Sequence, residues 1–248
     1  MTLPAGVLRL GDPLVNFYLV QEGTDLTLVD AGLPGHWRRL TTELARIGRS
    51  VHDIRAVLVT HGHLDHLGLA RRLNREAGAE VWVHEADAPI VRAPLRTAQH
   101  WQPERSLARY ALRRPAALRA PLHLARLGAA TTRAVPDPRT FRGGERLDLP
   151  GRPLVVHAPG HTAGSSAVLL PEHGVAFTGD ALVTADTVGG RSGPCLICRA
   201  FTQDSSLAQD SLRVLAGLDA DTVLPGHGEP WTAGIAEAAD LALAAGLR

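Results

Sequence analysis

The sequence predicts an α/β fold built in layers. Short apolar runs rich in Val, Ile and Leu recur along the chain and alternate with segments of helical periodicity. Several of these runs end in short Gly- or Pro-containing loops that carry a histidine or an aspartate, at Asp30, His61, His161, Asp180 and His227. A stretch from Pro89 to Leu127 breaks the rhythm with helical pieces only. Strand ends in α/β layers set their loop residues along one edge, where sites are built.

Val15 to Val20 and Leu26 to Val29 read as strands around the turn Glu22-Gly23-Thr24-Asp25, and the second ends in Asp30-Ala31-Gly32. His36 to Ile47 has helical spacing and stops at Gly48. Ile54 to Val59 is a β-branched apolar run, the mark of a buried strand. It delivers Thr60-His61-Gly62-His63-Leu64-Asp65-His66 at its C-terminal end. Leu67 to Ala77 reads as a helix closed by Gly78, and Glu80 to His84 as a strand. Strands resume at Leu154 to His157, which leads into Ala158-Pro159-Gly160-His161-Thr162. Ser166 to Leu170 and Val175 to Thr178 form a hairpin ahead of Gly179-Asp180. A helix from Ser205 to Leu215 precedes the strand Thr222 to Leu224, which ends in Pro225-Gly226-His227-Gly228. The last helix runs from Ala233 to Ala245.

The segment 89–127 reads as an insert in one domain covering 1–248. Its helices are broken at Pro94, Pro103, Pro115 and Pro121. Arg105, Arg109 and Arg113 fall four apart on one helix face. Two readings stand: a solvated arginine face on a connector, or a cap over the site in which Arg105, Arg109 and Tyr110 meet a substrate. A contact in a homodimer is a further use of that face.

A formal net charge of +1 argues against a general pull toward nucleic acid or acidic membranes. All 26 basic residues are arginine, so no lysine can form a Schiff base. Cys195 and Cys198 form a lone C-x-x-C, read as packing rather than a redox pair or half a zinc site. No signal peptide and no membrane span are expected, so a cytoplasmic location is the default. His36, His52, His84, His100, His123, His157 and His173 lack the strand-end setting and read as surface or packing residues. His84 and His157 lie nearest the site in sequence, where an outer position behind the ligands is open to them.

The stretch His61 to His66 spells H-x-H-x-D-H. Neutral imidazoles and carboxylates are the usual ligands of zinc and similar divalent ions. Two such ions about 3.5–4 Å apart lower the pKa of a shared water and polarise a carbonyl or phosphoryl oxygen.

The strand-end segments together resemble those of the metallo-β-lactamase-fold hydrolase superfamily: Asp30-Ala31-Gly32, His61 to His66, Pro159-Gly160-His161-Thr162, Thr178-Gly179-Asp180 and Pro225-Gly226-His227-Gly228. They occur in that family's order and cover nearly the whole chain except the insert. The resemblance implies a four-layer αββα sandwich of two similar halves, with two metal ions at one edge. It implies that His61, His63 and His161 hold one ion, that Asp65, His66 and His227 hold the second, and that Asp180 bridges both with a hydroxide. Asp30 would steady a ligand from behind, and Thr162 would either do the same through its hydroxyl or cap a helix or turn. The ions expected are two Zn²⁺, with Mn, Co or Fe as alternatives. Asp65 and Asp180 are then the catalytic carboxylates, with proton transfer as a second task for Asp65.

Within the superfamily, His63 stands where di-iron redox members tend to carry a glutamate, which favours hydrolysis. The bridging Asp180 resembles glyoxalase II-like thioesterases and lactonases more than true β-lactamases. The tyrosine of quorum-quenching lactonases after the bridging aspartate is replaced by Ala181-Leu182-Val183. The C-terminal helical domain of glyoxalase II proper is absent from the pattern. The resulting expectation is a dinuclear zinc hydrolase of a small-molecule ester, thioester or lactone, without nucleic acid as partner. The alternatives are a β-lactam hydrolase, a one-iron persulfide dioxygenase-like enzyme working through His61, His161 and Asp180, and a non-enzymatic metal-binding domain.

Overall fold

The computed structural model describes residues 3–247. Its first half begins with strands β1 (Val7–Gly11), β2 (Asn16–Glu22) and β3 (Asp25–Val29). Helix α1 (Trp37–Arg46), strand β4 (Ile54–Leu58), helices α2 (Leu64–Leu67) and α3 (Ala70–Ala77), and strand β5 (Glu80–His84) follow. Helices α4 (Ala88–Arg92), α5 (Leu107–Arg113) and α6 (Arg119–Arg126) then lead to β6 (Arg139–Phe141). The second half contains β7 (Leu154–His157), β8 (Ser166–Leu170), β9 (Val175–Gly179), β10 (Val183–Asp186) and β11 (Arg191–Cys195). It ends with α7 (Ser205–Ala216), β12 (Thr222–Pro225) and α8 (Ile235–Ala245). Strands β1 to β6 form one sheet in sequence order, and the second sheet has the order β12-β9-β8-β7. Strands β10 and β11 form a separate hairpin.

Alternation along the strands explains the layering, because neighbouring side chains on a strand face opposite sides. In β2, Phe17 and Leu19 pack with Leu40, Leu44 and Leu73 of α1 and α3, while Tyr18 and Val20 face the other way. In β8, Ala167 and Leu169 pack with Leu212, Leu215 and Ala239 of α7 and α8, while Val168 and Leu170 face the first sheet. The inward sets of both sheets, among them Tyr18, Val29, Leu58, Val168, Phe177 and Leu224, meet in one core. Helix, sheet, sheet, helix is therefore the order of layers, as expected of an αββα sandwich. Burying each of these large apolar side chains contributes on the order of 2 kcal/mol.

The structure differs from the sequence expectations at several joints. The predicted helix from Leu67 to Ala77 is two helices separated at Gly68. A side chain there would place its Cβ 2.3 Å from the Leu33 carbonyl carbon, and the Gly68 amide donates to Gly32 O at 2.7 Å. The tight approach fixes the ligand stretch against the β3 loop. Strands β1, β6, β10 and β11 were not legible in the hydrophobic pattern. The last helix starts at Ile235, two residues later than expected.

The segment 89–127 is tied to both halves. His123 of α6 reaches Asp12 Oδ2 at 2.6 Å, and the buried His36 reaches the same oxygen at 2.9 Å. Burial alone would raise the Asp12 carboxyl. Hydrogen bonds from His36, His123 and the Leu14 and Val15 amides outweigh it and hold the group well below the usual carboxylate range. Glu104 accepts from Ser205 N at 2.7 Å and pairs with Arg199. Arg114 Nη1 donates to Thr187 O at 2.9 Å.

Candidate metal centre

The strand ends converge. His61 Nε2 lies 3.2 Å and His63 Nδ1 2.9 Å from His161 Nε2. Asp180 Oδ2 lies 3.4 Å from His161 Nε2 and 3.8 Å from His61 Nε2, on one side. On the other side it lies 3.1 Å from His227 Nε2. Asp180 Oδ1 is 3.6 Å from His66 Nε2. Asp65 Oδ2 is 3.6 Å from His227 Nε2 and 3.8 Å from His66 Nε2. Three groups of donors result, each with its atoms within 4.8 Å of one another: His61, His63 and His161; His61, His66 and Asp180; Asp65, His66 and His227.

Asp30 sets which nitrogens face inward. It adopts a left-handed backbone conformation with φ of 59°, which an aspartate tolerates better than most residues. Its Oδ2 accepts from His66 Nδ1 at 2.8 Å. The Thr60 hydroxyl spends its proton on Asp30, at 2.9 and 3.0 Å from the two carboxylate oxygens. That hydroxyl can therefore only accept from His61 Nδ1, 3.1 Å away. His227 Nδ1 donates to Leu14 O at 2.5 Å. With these outer nitrogens protonated, Nε2 of His61, His66 and His227 presents a lone pair to the centre.

The donor set fits divalent ions on this geometry. His227 Nε2 and Asp180 Oδ2 are both lone-pair atoms in that tautomer, and only a cation or a proton between them makes a 3.1 Å approach favourable. His66 Nε2 and Asp180 Oδ1 are buried with no hydrogen-bond partner among the described residues, a costly state unless something binds them. Titration points the same way. Burial pushes His61, His63 and His161 down, toward the neutral form a metal requires. Burial opposes charge on His66 as well, but Asp30, Asp180 and Asp65 outweigh it and raise the group to about 9. For His227, Asp180 and Asp65 likewise override burial and raise it to about 10. The carboxylates thus call for positive charge on the His66 and His227 side, which protons supply when no ion does.

Asp87 is a part of the site that sequence reasoning missed. It is fully buried in the turn after β5. Its Oδ2 accepts from Gly62 N and from the Thr162 hydroxyl, both at 2.7 Å, and its Oδ1 from Gly164 N at 2.8 Å. One carboxylate therefore joins the loop of His61 and His63 to the loop of His161. The rule that found the other sites, a histidine or an aspartate in the loop that ends a strand, applies to Asp87 as well. Thr162 touches Asp87 and Ser165 rather than an imidazole, so it steadies the loops and not a ligand directly. Asp87→Ala is expected to weaken metal affinity by about 10–100-fold, with loss at the His61, His63 and His161 group first. Titration of the stripped protein with zinc, read by calorimetry, checks this.

The chain's relationships agree with the geometry. The profile of the metallo-beta-lactamase superfamily matches residues 10–227. The chain belongs to this superfamily. It is 25% identical over 238 residues to the probable metallo-hydrolase YflN of Bacillus subtilis (strain 168), covering 92% of this chain and 85% of that one. It is 31% identical over 158 residues to the hydroxyacylglutathione hydrolase GloC of Haemophilus influenzae, covering 62% of this chain and 60% of GloC. Among solved structures, the superfamily protein TTHA1429 of Thermus thermophilus aligns with a TM-score of 0.69 and 28% identity, over 95% of this chain and 77% of that one. TTHA1623 in a di-iron-bound form aligns with a TM-score of 0.62 and 26% identity, over 94% and 96%. The superfamily and these relatives place the chain among metal-dependent, hydrolase-like proteins.

Beside these candidate ligands lies a cavity of about 520 Å³. Residues of the 89–127 segment form part of its wall, including Leu95, Trp101 and Leu124. Trp101 meets the His63 ring edge-on at 4.5 Å, and its indole N–H donates to His161 O at 2.8 Å. Arg105, Arg109 and Tyr110 are not in the wall. The two arginines are exposed, and Tyr110 packs beside Ala117, Val188 and Cys198. His84 and His157 stack on each other with centroids 4.0 Å apart, behind the ligand loops and touching no ligand ring. Cys195 and Cys198 are buried free thiols in separate apolar clusters. No helix among the described residues is long and apolar enough to cross a membrane.

Proposed function

We propose that the protein is a zinc-dependent hydrolase of an ester, thioester or lactone, built as one domain with the 89–127 segment as a wall of its active site. His61, His63 and His161 hold one ion, and Asp65, His66 and His227 hold the other. The observation that carries the reading is the position of Asp180, whose two oxygens lie within 3.1–3.8 Å of nitrogens from both groups. Two divalent ions held there supply an activated water and a Lewis acid for the scissile carbonyl.

The chain's own residues do the rest. Asp30 keeps His66 in its tautomer directly and His61 through Thr60. Asp87 and Asn16 hold the loops in register. Asn16 donates to Pro225 O at 3.0 Å and Gly228 O at 2.7 Å, which fixes the His227 loop against the first sheet. Asp65 sits at the cavity wall, within 3.6–3.8 Å of both ligand histidines, where a substrate in the cavity would meet it. The name of GloC supports acyl thioesters as a substrate class for this chain. The one-iron reading uses His61, His161 and Asp180 alone and leaves the Asp65, His66 and His227 group without a task.

Chelator-stripped protein, reloaded in turn with zinc, manganese, cobalt and iron, tests the proposal on thioester, ester, lactone and β-lactam substrates. Zinc-restored turnover of one of the first three classes is expected. Iron-dependent oxygen uptake with a persulfide, without acyl hydrolysis, would replace it.

A further inference from the structure

The cavity has a character that the metal centre does not explain. Its wall is apolar: Leu64, Leu95, Trp101, Leu124, Ile197 and Phe201 are among the residues that face it. Every ionisable side chain in the wall belongs to the candidate ligand set, with Asp186 the one exception. Among the described residues no arginine lines it, in a chain that carries 26.

The insert shows how this sorting is built. The segment 89–127 holds eight arginines, at 92, 96, 105, 109, 113, 114, 119 and 126, and each is exposed. In α6, Ala120, Pro121, Leu124 and Ala125 form the stripe that faces the cavity, while Arg119 and Arg126 fall outside it. Spacings of one and four place that stripe on one helix side. The cationic residues are thus turned to water and the apolar ones to the cavity.

A substrate arm that carried a carboxylate would be desolvated here with no guanidinium or ammonium to meet it. Asp186 adds an opposing feature. It is buried, its Oδ1 takes the Gly189 amide at 2.8 Å, and burial pushes its carboxyl up against the pull of that amide, His227 and Arg191, so it offers a carboxylate arm no positive charge. An apolar arm meets neither penalty and gains from every methylene removed from water.

We propose that this cavity selects substrates with an uncharged apolar acyl chain, bound along the α6 stripe with the carbonyl toward Asp180. The proposal rests on the hydrolase reading above and names the substrate class of that same site.

The experiment uses the full, zinc-loaded chain and thioesters of one small neutral thiol with acetyl, butanoyl, hexanoyl, octanoyl and succinyl groups. kcat/KM is expected to rise by about fourfold per methylene until the cavity is filled. The succinyl thioester is expected to fall at least ~100-fold below the butanoyl one. Leu124→Gln should flatten the chain-length series. Leu95→Gln should do so in part and, with Leu95 61% exposed, carries little risk to folding. A flat or falling series, or a succinyl thioester as good as the butanoyl one, would overturn the proposal.

A binding arm separates this outcome from failure of the hydrolase reading. If no thioester turns over and the ester and lactone panel is also inert, that reading fails, and calorimetry with octanamide and with succinamate still tests the cavity. Tighter binding of octanamide, weakened in Leu124→Gln, upholds apolar selection; equal binding, or none, rejects it.

Discussion

Asp180→Ala is expected to lower kcat/KM for the substrate of the proposed hydrolase by about 10³-fold or more, with loss of one or both of the proposed ions. The magnitude follows from the position of the carboxylate. Its oxygens face His61, His161, His66 and His227 at once, so removing it takes a donor from both groups and leaves their imidazoles facing each other. Metal-assisted stabilisation of a transition state amounts to several kcal/mol, and each 1.36 kcal/mol or so is tenfold in rate. Asp210→Ala serves as the control. Among the described residues Asp210 pairs only with Arg213 on the surface of α7, where such a pair contributes about 0–1 kcal/mol. It should leave rate and metal content unchanged. Steady-state kinetics and elemental analysis on the same preparations check both variants.

Gly160→Ala is expected to destabilise the fold by about 3–5 kcal/mol. Gly160 has φ of +130°, where residues with a Cβ are strained. A Cβ there would also lie 2.2 Å from Ala208 N and 2.5 Å from Ala208 Cα, which is backbone of α7 and has no way to yield. The Gly160 carbonyl accepts from Asp204 N at 2.8 Å, so the loop of His161 and the start of α7 are one tightly packed joint. A melting temperature roughly 10 °C lower should result for a chain of this size. Gly78→Ala is the comparison, because Gly78 has φ of +72° with nothing within 4 Å of its added Cβ. It carries the conformational strain alone, about 1–2 kcal/mol. Thermal melts followed by circular dichroism distinguish the two costs. Equal shifts would show that contact with α7 is not what demands the glycine.

The parts of the site that periodicity could reach were legible in the sequence. Asp30, His61, His161, Asp180 and His227 each follow an apolar run, and strand ends of one layered sheet pair share an edge. Asp87 obeys the same rule. It was hidden because Glu85-Ala86-Asp87 runs straight into the proline-broken segment and reads as its beginning. The spacing of Arg105, Arg109 and Arg113 shows that they share a helix side, but spacing alone carries no information on whether that side meets solvent or a cavity. Orientation depends on contacts made far away in sequence, such as His123 with Asp12, 111 residues apart. Trp101 is placed in the same way, through its bond to His161 O across 60 residues. Single-sequence patterns also pass over short strands such as β6, whose three residues Arg139, Thr140 and Phe141 show almost no alternation.

Metal content per chain tests the central claim most directly. Protein purified without added metal or chelator and measured by elemental mass spectrometry should contain two divalent ions per chain, falling to one or none in Asp180→Ala. A single ion per chain, or two ions retained in full by Asp180→Ala, would contradict a two-ion centre joined through Asp180.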